Sequence, residues 1–269
     1  MKSKITGRET QYLFTAKILN KYEVKYYQCK ETGFIQTEEP FWLPEAYSKP
    51  ITETDLGLIY RNIILSKKVA KLIFTCLNHT GTFLDFGGGY GLFTRLMRDK
   101  GYNFYTTDKY CENIFAEEFD LNKNHNLKFE AVTAFEVLEH LDDPLRDLRD
   151  LFKYSSNLIF STEIQPENLK TAEDWWYFAP EIGQHISFYS IKSLRHLGRR
   201  LNKEFYTDGS SLHMFTEKKL IGDPFKSIKD PWYIRKIRKY IVRYDQTKTG
   251  NKESLLKKDY ESIRDKLKL

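Results

Sequence analysis

The tightest constraint in this 269-residue chain is the run Leu84-Asp85-Phe86-Gly87-Gly88-Gly89-Tyr90-Gly91. It closes a short apolar segment, Thr82 to Gly87, and opens a helical one, Leu92 to Lys100, which Gly101 ends at the C′ position. Glycines at a strand-to-helix turn allow a tight backbone path and let a ligand approach where a Cβ would collide. The helix start behind them presents free N–H groups and a positive dipole end, which favour a carboxylate or a phosphate.

Strands and helices alternate on from this turn. Asn103 to Asp108 reads as a strand, Glu112 to Phe119 as a helix, Lys128 to Phe135 as a strand and Pro144 to Tyr154 as a helix. Asn157 to Thr162 is a further apolar strand; an aromatic loop (Trp175 to Phe188), a basic helix (Ile191 to Leu201) and a hairpin (Glu204 to Phe215) follow. This order predicts an α/β fold: a Rossmann-like, doubly wound, mostly parallel sheet ending in an antiparallel hairpin. Ahead of it, Tyr22 to Gln36 reads as a small hairpin, and Thr54 to Leu77 as an amphipathic helix with Thr54 or Asp55 as N-cap. Three regions are expected: an N-terminal hairpin or cap (1–53), the main domain (54–220) and a basic helical extension (221–269).

The net charge of +6 belongs to that extension. From Lys229 to Leu269 there are 13 Lys and Arg against 6 Asp and Glu, leaving 30 and 31 elsewhere. A neutral body argues against a nucleic-acid footprint on the main domain. The tail, with Ile234, Ile237, Ile241 and Val242 as a stripe among basic residues, is a candidate for peripheral membrane or partner contact. No apolar run approaches the ~20 residues that span a bilayer. Three scattered cysteines, Cys29, Cys76 and Cys111, cannot build a disulfide framework, so a reducing, cytoplasmic setting is the default.

Seventeen residues past Gly91, Asp108 ends the next strand, where a carboxylate can accept both hydroxyls of a ribose. A dinucleotide or S-adenosylmethionine fits that arrangement. A dinucleotide fingerprint starting at Gly87 requires a third glycine at position 92, which is Leu. Asp85, Gly87, Gly89 and Gly91 instead match D-x-G-x-G-x-G, motif I of the class I S-adenosylmethionine-dependent methyltransferases. Ala134-Phe135-Glu136-Val137-Leu138-Glu139-His140-Leu141 also resembles the segment after the fourth strand of many small-molecule methyltransferases. Asp174-Trp175-Trp176-Tyr177 with Gly183-Gln184-His185-Ile186-Ser187-Phe188-Tyr189 is similar to the subgroup associated with bacterial capsule and surface-polysaccharide biosynthesis. Trp42-Leu43-Pro44-Glu45-Ala46-Tyr47, Thr54-Asp55-Leu56-Gly57 with Arg61-Asn62, and Ser211-Leu212-His213-Met214-Phe215 are similar to it too. The resemblance covers about residues 22 to 220.

The resemblance implies an enzyme that uses S-adenosylmethionine, with Asp85, Gly87, Gly88, Gly89, Gly91, Asp108, Phe135 and Glu136 around the cofactor. It implies O-methylation of a glycan precursor at a sugar hydroxyl or a phosphate-linked group, by a monomer or homodimer. Relatives often carry a pair of cysteines three apart near the N-terminus, but here Cys29 is followed by Thr32, so no zinc site, and no other metal, is expected. An alcohol acceptor benefits from a general base, and His suits neutral pH. His185 is preferred as base, with His140 beside the reaction centre. Trp176, Tyr177, Gln184, Tyr189 and Arg61 are the acceptor-contact candidates. Two other readings stay open: a methyltransferase-fold assembly partner without catalysis, and a nucleic-acid or other small-molecule methyltransferase. Calorimetry should show micromolar binding of S-adenosylhomocysteine and much weaker binding of NAD; tighter NAD binding would reverse the motif assignment.

Overall fold

The computed structural model describes residues 1–48, 55–123 and 127–226, and in the C-terminal stretch 254–255, 258–259 and 261–262. Thr54, His125 and the apolar stripe Ile234 to Val242 lie outside the described residues. In chain order the strands and helices are β1 (Thr10–Ile18), β2 (Tyr22–Cys29), β3 (Ile35–Thr37), α1 (Leu43–Ala46), α2 (Leu58–Cys76), β4 (Thr82–Phe86), α3 (Leu92–Asp99), β5 (Asn103–Thr107), β6 (Ala131–Phe135), α4 (Pro144–Leu151), β7 (Leu158–Ser161), β8 (Ser187–Phe188), α5 (Ile191–Arg200), β9 (Glu204–Thr207) and β10 (Leu212–Thr216).

The main sheet has the order β5-β4-β6-β7-β10-β9. Its first four strands are parallel, and β10 and β9 close it as an antiparallel hairpin. Successive residues point to opposite faces, and each face is covered. Leu84, Val132, Leu158 and Phe215 pack with α4 and α5, whereas Phe83, Ala131, Ile159 and Met214 pack with α2 and α3. Burial on both sides is why these strands read as continuous apolar runs rather than alternating ones.

Two expectations are corrected. The segment 112–119 holds a 3₁₀ turn, Glu117–Phe119, in place of a helix, and one parallel bridge, Thr106 to Asp120, follows it. Helix α2 starts after Gly57 without a side-chain cap; Asp55 is drawn away into an ion pair with Arg61.

The N-terminal region is larger than a hairpin. A second sheet, β1-β2-β3-β8, takes its last strand from the aromatic loop of the main domain. Its core joins Phe14, Val24, Tyr26 and Trp42 to Trp175, Tyr177, Phe178 and Phe188. The join is tight at Gly183, where φ is +73° and an added Cβ would stand 2.8 Å from Ile18 Cγ2. At the C-terminal end, buried Arg98 forms an ion pair with Asp259 at 2.7 Å. Among the described residues no helix is long and apolar enough to cross a membrane.

Gly183→Ala should cost more than Gly7→Ala. Both positions have positive φ, but nothing lies within 4 Å of a Cβ at Gly7. The excess, about 1–3 kcal/mol of overpacking, is read from denaturant midpoints; equal costs would mean the two sheets are not tightly joined there.

Candidate active site

One cavity of roughly 1040 Å³ runs along the carboxyl ends of β5, β4 and β6. This is where the strand order reverses, the place open α/β sheets leave for a ligand. Asp108, Lys109, Tyr110 and Cys111 line one end, Gly87, Gly88, Gly89 and Tyr90 the middle, and Glu136, His140, Trp176, Tyr177, Gln184 and His185 the other end.

The glycine turn is held from below. Gly87, Gly89 and Gly91 have φ of 67°, 56° and 81°. At Gly88 a Cβ would meet Thr106 Oγ1 at 2.1 Å and Asp85 Oδ2 at 2.7 Å, so the packing admits only glycine. Gly91 caps α3 rather than lining the cavity, and an added Cβ there would clash with Asn113 Oδ1 at 2.2 Å. Asp85 is 2% exposed and accepts a 2.7 Å hydrogen bond from Thr133 Oγ1. Asp108 accepts from the Gly89 N–H at 2.9 Å through Oδ2, and from the Tyr110 and Cys111 N–H groups through Oδ1. It therefore ties the tip of the turn to the end of β5 while facing the cavity.

At the other end the backbone turns sharply after β6. Glu136 sits at φ 53°, accepts from its neighbour Ser161 Oγ at 2.6 Å, and shares the Tyr177 hydroxyl with Glu139. Phe135 lines the cavity and packs edge-on against Phe93. His140 and His185 come together, ring centroids 5.0 Å apart and planes nearly perpendicular. His140 Nδ1 lies 3.1 Å from the Gln184 carbonyl and His185 Nδ1 lies 2.7 Å from the Tyr177 carbonyl. A carbonyl only accepts, so His185 carries its proton on Nδ1 and keeps a lone pair on Nε2, whereas His140 Nδ1 stands between the Gln184 carbonyl and the Tyr47 hydroxyl. Burial keeps both neutral: with His185 beside it, it pushes His140 down to about 3, and it lowers His185 as well.

Of the acceptor-contact candidates, Trp176, Tyr177, Gln184 and Arg61 line the cavity. Trp176 is 74% exposed while Trp175, Tyr177 and Phe178 are buried, so one tryptophan of the pair faces the ligand space. Arg61 is held by both oxygens of Asp55. Tyr189 stands apart: it is fully buried against Phe34, and its hydroxyl donates to the Leu138 carbonyl. Sequence reasoning passed over two members. Tyr47 reaches His140 Nδ1 at 3.0 Å and stacks on Tyr110. Glu139 is fully buried, accepts from the Tyr177 hydroxyl at 2.6 Å, and groups with His140 and His185. The spacing Glu136, Glu139, His140 was its only sequence signal.

A family model described as a methyltransferase domain matches residues 60–205, more than half of the chain. The chain belongs to that methyltransferase family. No curated protein matches it. Among solved structures, an O-methyltransferase family 2 protein from Planctomyces limnophilus in complex with apigenin is similar at 11% identity, covering 65% of this chain and 66% of that one, with a TM-score of 0.42. The plantazolicin methyltransferase BpumL, in complex with S-adenosylhomocysteine (SAH), is similar at 11% identity over 65% of this chain and 89% of its own, TM-score 0.44. Human N-acetylserotonin methyltransferase, in complex with S-adenosylmethionine (SAM), is similar at 10% identity over 66% of each chain, TM-score 0.42. The match spans 60–66% of the length of the first four solved chains.

Burial raises Asp85 to about 7; the Thr133 bond opposes this, and the Asp108 charge adds to it. A folded-state pKa above the unfolded one means that the stability the proton contributes is full below about pH 4 and is lost as pH rises to about 7. Asp85→Asn removes that dependence. The variant should gain on the parent by up to about 4 kcal/mol between pH 4 and 7.5 in denaturant titrations. A pH-independent difference would show Asp85 to be an ordinary carboxylate.

Proposed function

We propose that this protein transfers a methyl group from S-adenosylmethionine to a hydroxyl of a capsule or surface-polysaccharide precursor. The observation that supports it is the single cavity joining the glycine turn and Asp108 to the His140–His185 pair. The residues fit the cofactor: a side-chain-free turn at positive φ in the middle, and a carboxylate for a ribose at one end. S-adenosylmethionine supplies an electrophilic methyl group on a sulfonium.

The chain's own residues then do the rest. Asp108 holds the ribose, and the backbone of Gly87 to Gly89 lies along the amino-acid portion, with Phe135 and Glu136 where β6 ends. Trp176, Gln184 and Arg61 border the space left for the acceptor. The acceptor hydroxyl is activated at the imidazole pair, His185 presenting an Nε2 lone pair and His140 beside it. Holding the oxygen in line supplies most of the rate, because the displacement depends on alignment. The polysaccharide reading is supported by where its motif residues fall: Tyr47, Arg61, Trp176, Tyr177, Gln184 and His185 all border this cavity. The free cysteines Cys29, Cys76 and Cys111 suit a cytoplasmic setting.

The test is methyl transfer from labelled cofactor to a panel of nucleotide sugars and capsule precursors, with S-adenosylhomocysteine affinity measured beside it. His185→Ala should lower turnover about 10²–10⁴-fold with that affinity nearly unchanged. Asp108→Ala should weaken affinity by about 1.5–3 kcal/mol. Normal turnover in a folded His185→Ala protein, or unchanged affinity in Asp108→Ala, would refute the respective role.

A further inference from the structure

We propose that Glu139, His140 and His185 form a three-ligand site for a first-row divalent cation at the acceptor end of the cavity, with an open position for the acceptor oxygen. This rests on the methyl-transfer reading and deepens it, with a ligand role in place of the base role given to His185 above. One ligand atom from each residue lies within 4.8 Å of the others. They come from two places, the turn after β6 and the loop before β8, so the fold rather than local spacing gathers them.

Three features point to a cation. Each imidazole has its Nδ1 within hydrogen-bond reach of a main-chain carbonyl, Gln184 for His140 and Tyr177 for His185, with the Tyr47 hydroxyl also against His140 Nδ1. This outer partnership is the one that fixes ring and tautomer in metal-ligating histidines, leaving Nε2 to the ion. Second, Glu139 Oε2 is fully buried, and among the described residues it has no hydrogen bond of full geometry, the Thr162 hydroxyl giving it no more than a weak contact. A buried carboxylate oxygen left without a donor is costly, and a cation removes the cost. Third, Glu136 and Glu139 converge on one phenol, Tyr177, while Arg61 is already held by Asp55.

Two imidazoles and a carboxylate with a vacant fourth position are the donor set of catalytic rather than structural zinc sites, and imidazole also suits other first-row ions. Ligand bonds of about 2.0–2.2 Å require the donors to close in by about an ångström from their present spacing. A hydroxyl held at the open position loses its proton more readily, here to water in the open cavity. Its oxygen then forms the new C–O bond as the S–CH₃ bond breaks, and that electron pair stays on sulfur. On this account His185 acts as a ligand and not as the proton acceptor.

The experiment titrates chelator-stripped full-length protein with Co²⁺, following visible d–d absorption and displacement by Zn²⁺. Saturation at one equivalent is expected. Glu139→Gln and His185→Ala should each weaken it more than 100-fold, and Tyr177→Phe, which removes the hydroxyl shared by Glu139 and Glu136, about 10–100-fold. Melting temperature and S-adenosylhomocysteine affinity are measured for each; His185→Ala, at a less buried position, serves if Glu139→Gln does not fold. Absence of Co²⁺ binding, or binding indifferent to these substitutions, overturns the site. Full methyl transfer by the stripped protein in excess chelator overturns it too, and leaves the methyltransferase reading standing. Stoichiometric binding with no transfer to any hydroxyl acceptor keeps the site and refutes that reading instead.

Discussion

The clasp between Asp108 and the glycine turn is the contact on which the site depends. Asp108 accepts from the Gly89 N–H on one side and from its own turn on the other, while the Gly87 N–H donates to the Thr107 carbonyl. Two parallel strands are thereby locked at their carboxyl ends, and the turn is held open in a conformation that β-carbons would forbid. Asp85, buried beneath with its Thr133 bond, fills the space a side chain at Gly88 would need. Glycine at these positions is thus a packing requirement as well as a conformational one.

The His140–His185 end is built differently, from segments far apart in sequence. The N-terminal sheet grips the aromatic loop through main-chain atoms: Trp42 Nε1 donates to the Gly183 carbonyl, Gln184 Nε2 to the Ala46 carbonyl, and the Thr37 N–H to the Ile186 carbonyl. The Ile186 N–H in turn donates to the Glu139 carbonyl. His185 lies inside this lattice of bonds, so its position against His140 is set by backbone on both sides. A site preorganised in this way avoids reordering when ligand binds.

The two ends also differ in electrostatics. Asp108 faces the cavity with its charge satisfied by three N–H donors. Glu139 is enclosed among aromatic and imidazole rings, one oxygen lacking a full-geometry hydrogen bond among the described residues, and burial together with Glu136 raises its pKa well above the usual carboxylate range. The carboxylate at the glycine-turn end thus has its hydrogen-bond donors in place, whereas Glu139 at the other end accepts one full hydrogen bond, from Tyr177.

Much of this was legible in the residues. The D-x-G-x-G-x-G spacing, the acid at 108 and the alternation of strands and helices needed only local rules, because a strand, a tight turn and a helix start are each specified by neighbours in sequence. The fold class and the closing hairpin followed from them, and the resemblance of the motifs pointed to the family. What the sequence could not decide is what distant segments do to one another. Only the tertiary structure leaves a 3₁₀ turn where a helix was expected at 112–119, sends Trp176 outward while burying Trp175, and removes Tyr189 from the cavity. It alone brings His185 against Glu139 and His140, because that meeting depends on β8 pairing with β3 across some 150 residues of intervening chain. Local propensity has no term for such a contact; it is settled by which apolar faces and which main-chain donors find partners when the whole chain packs.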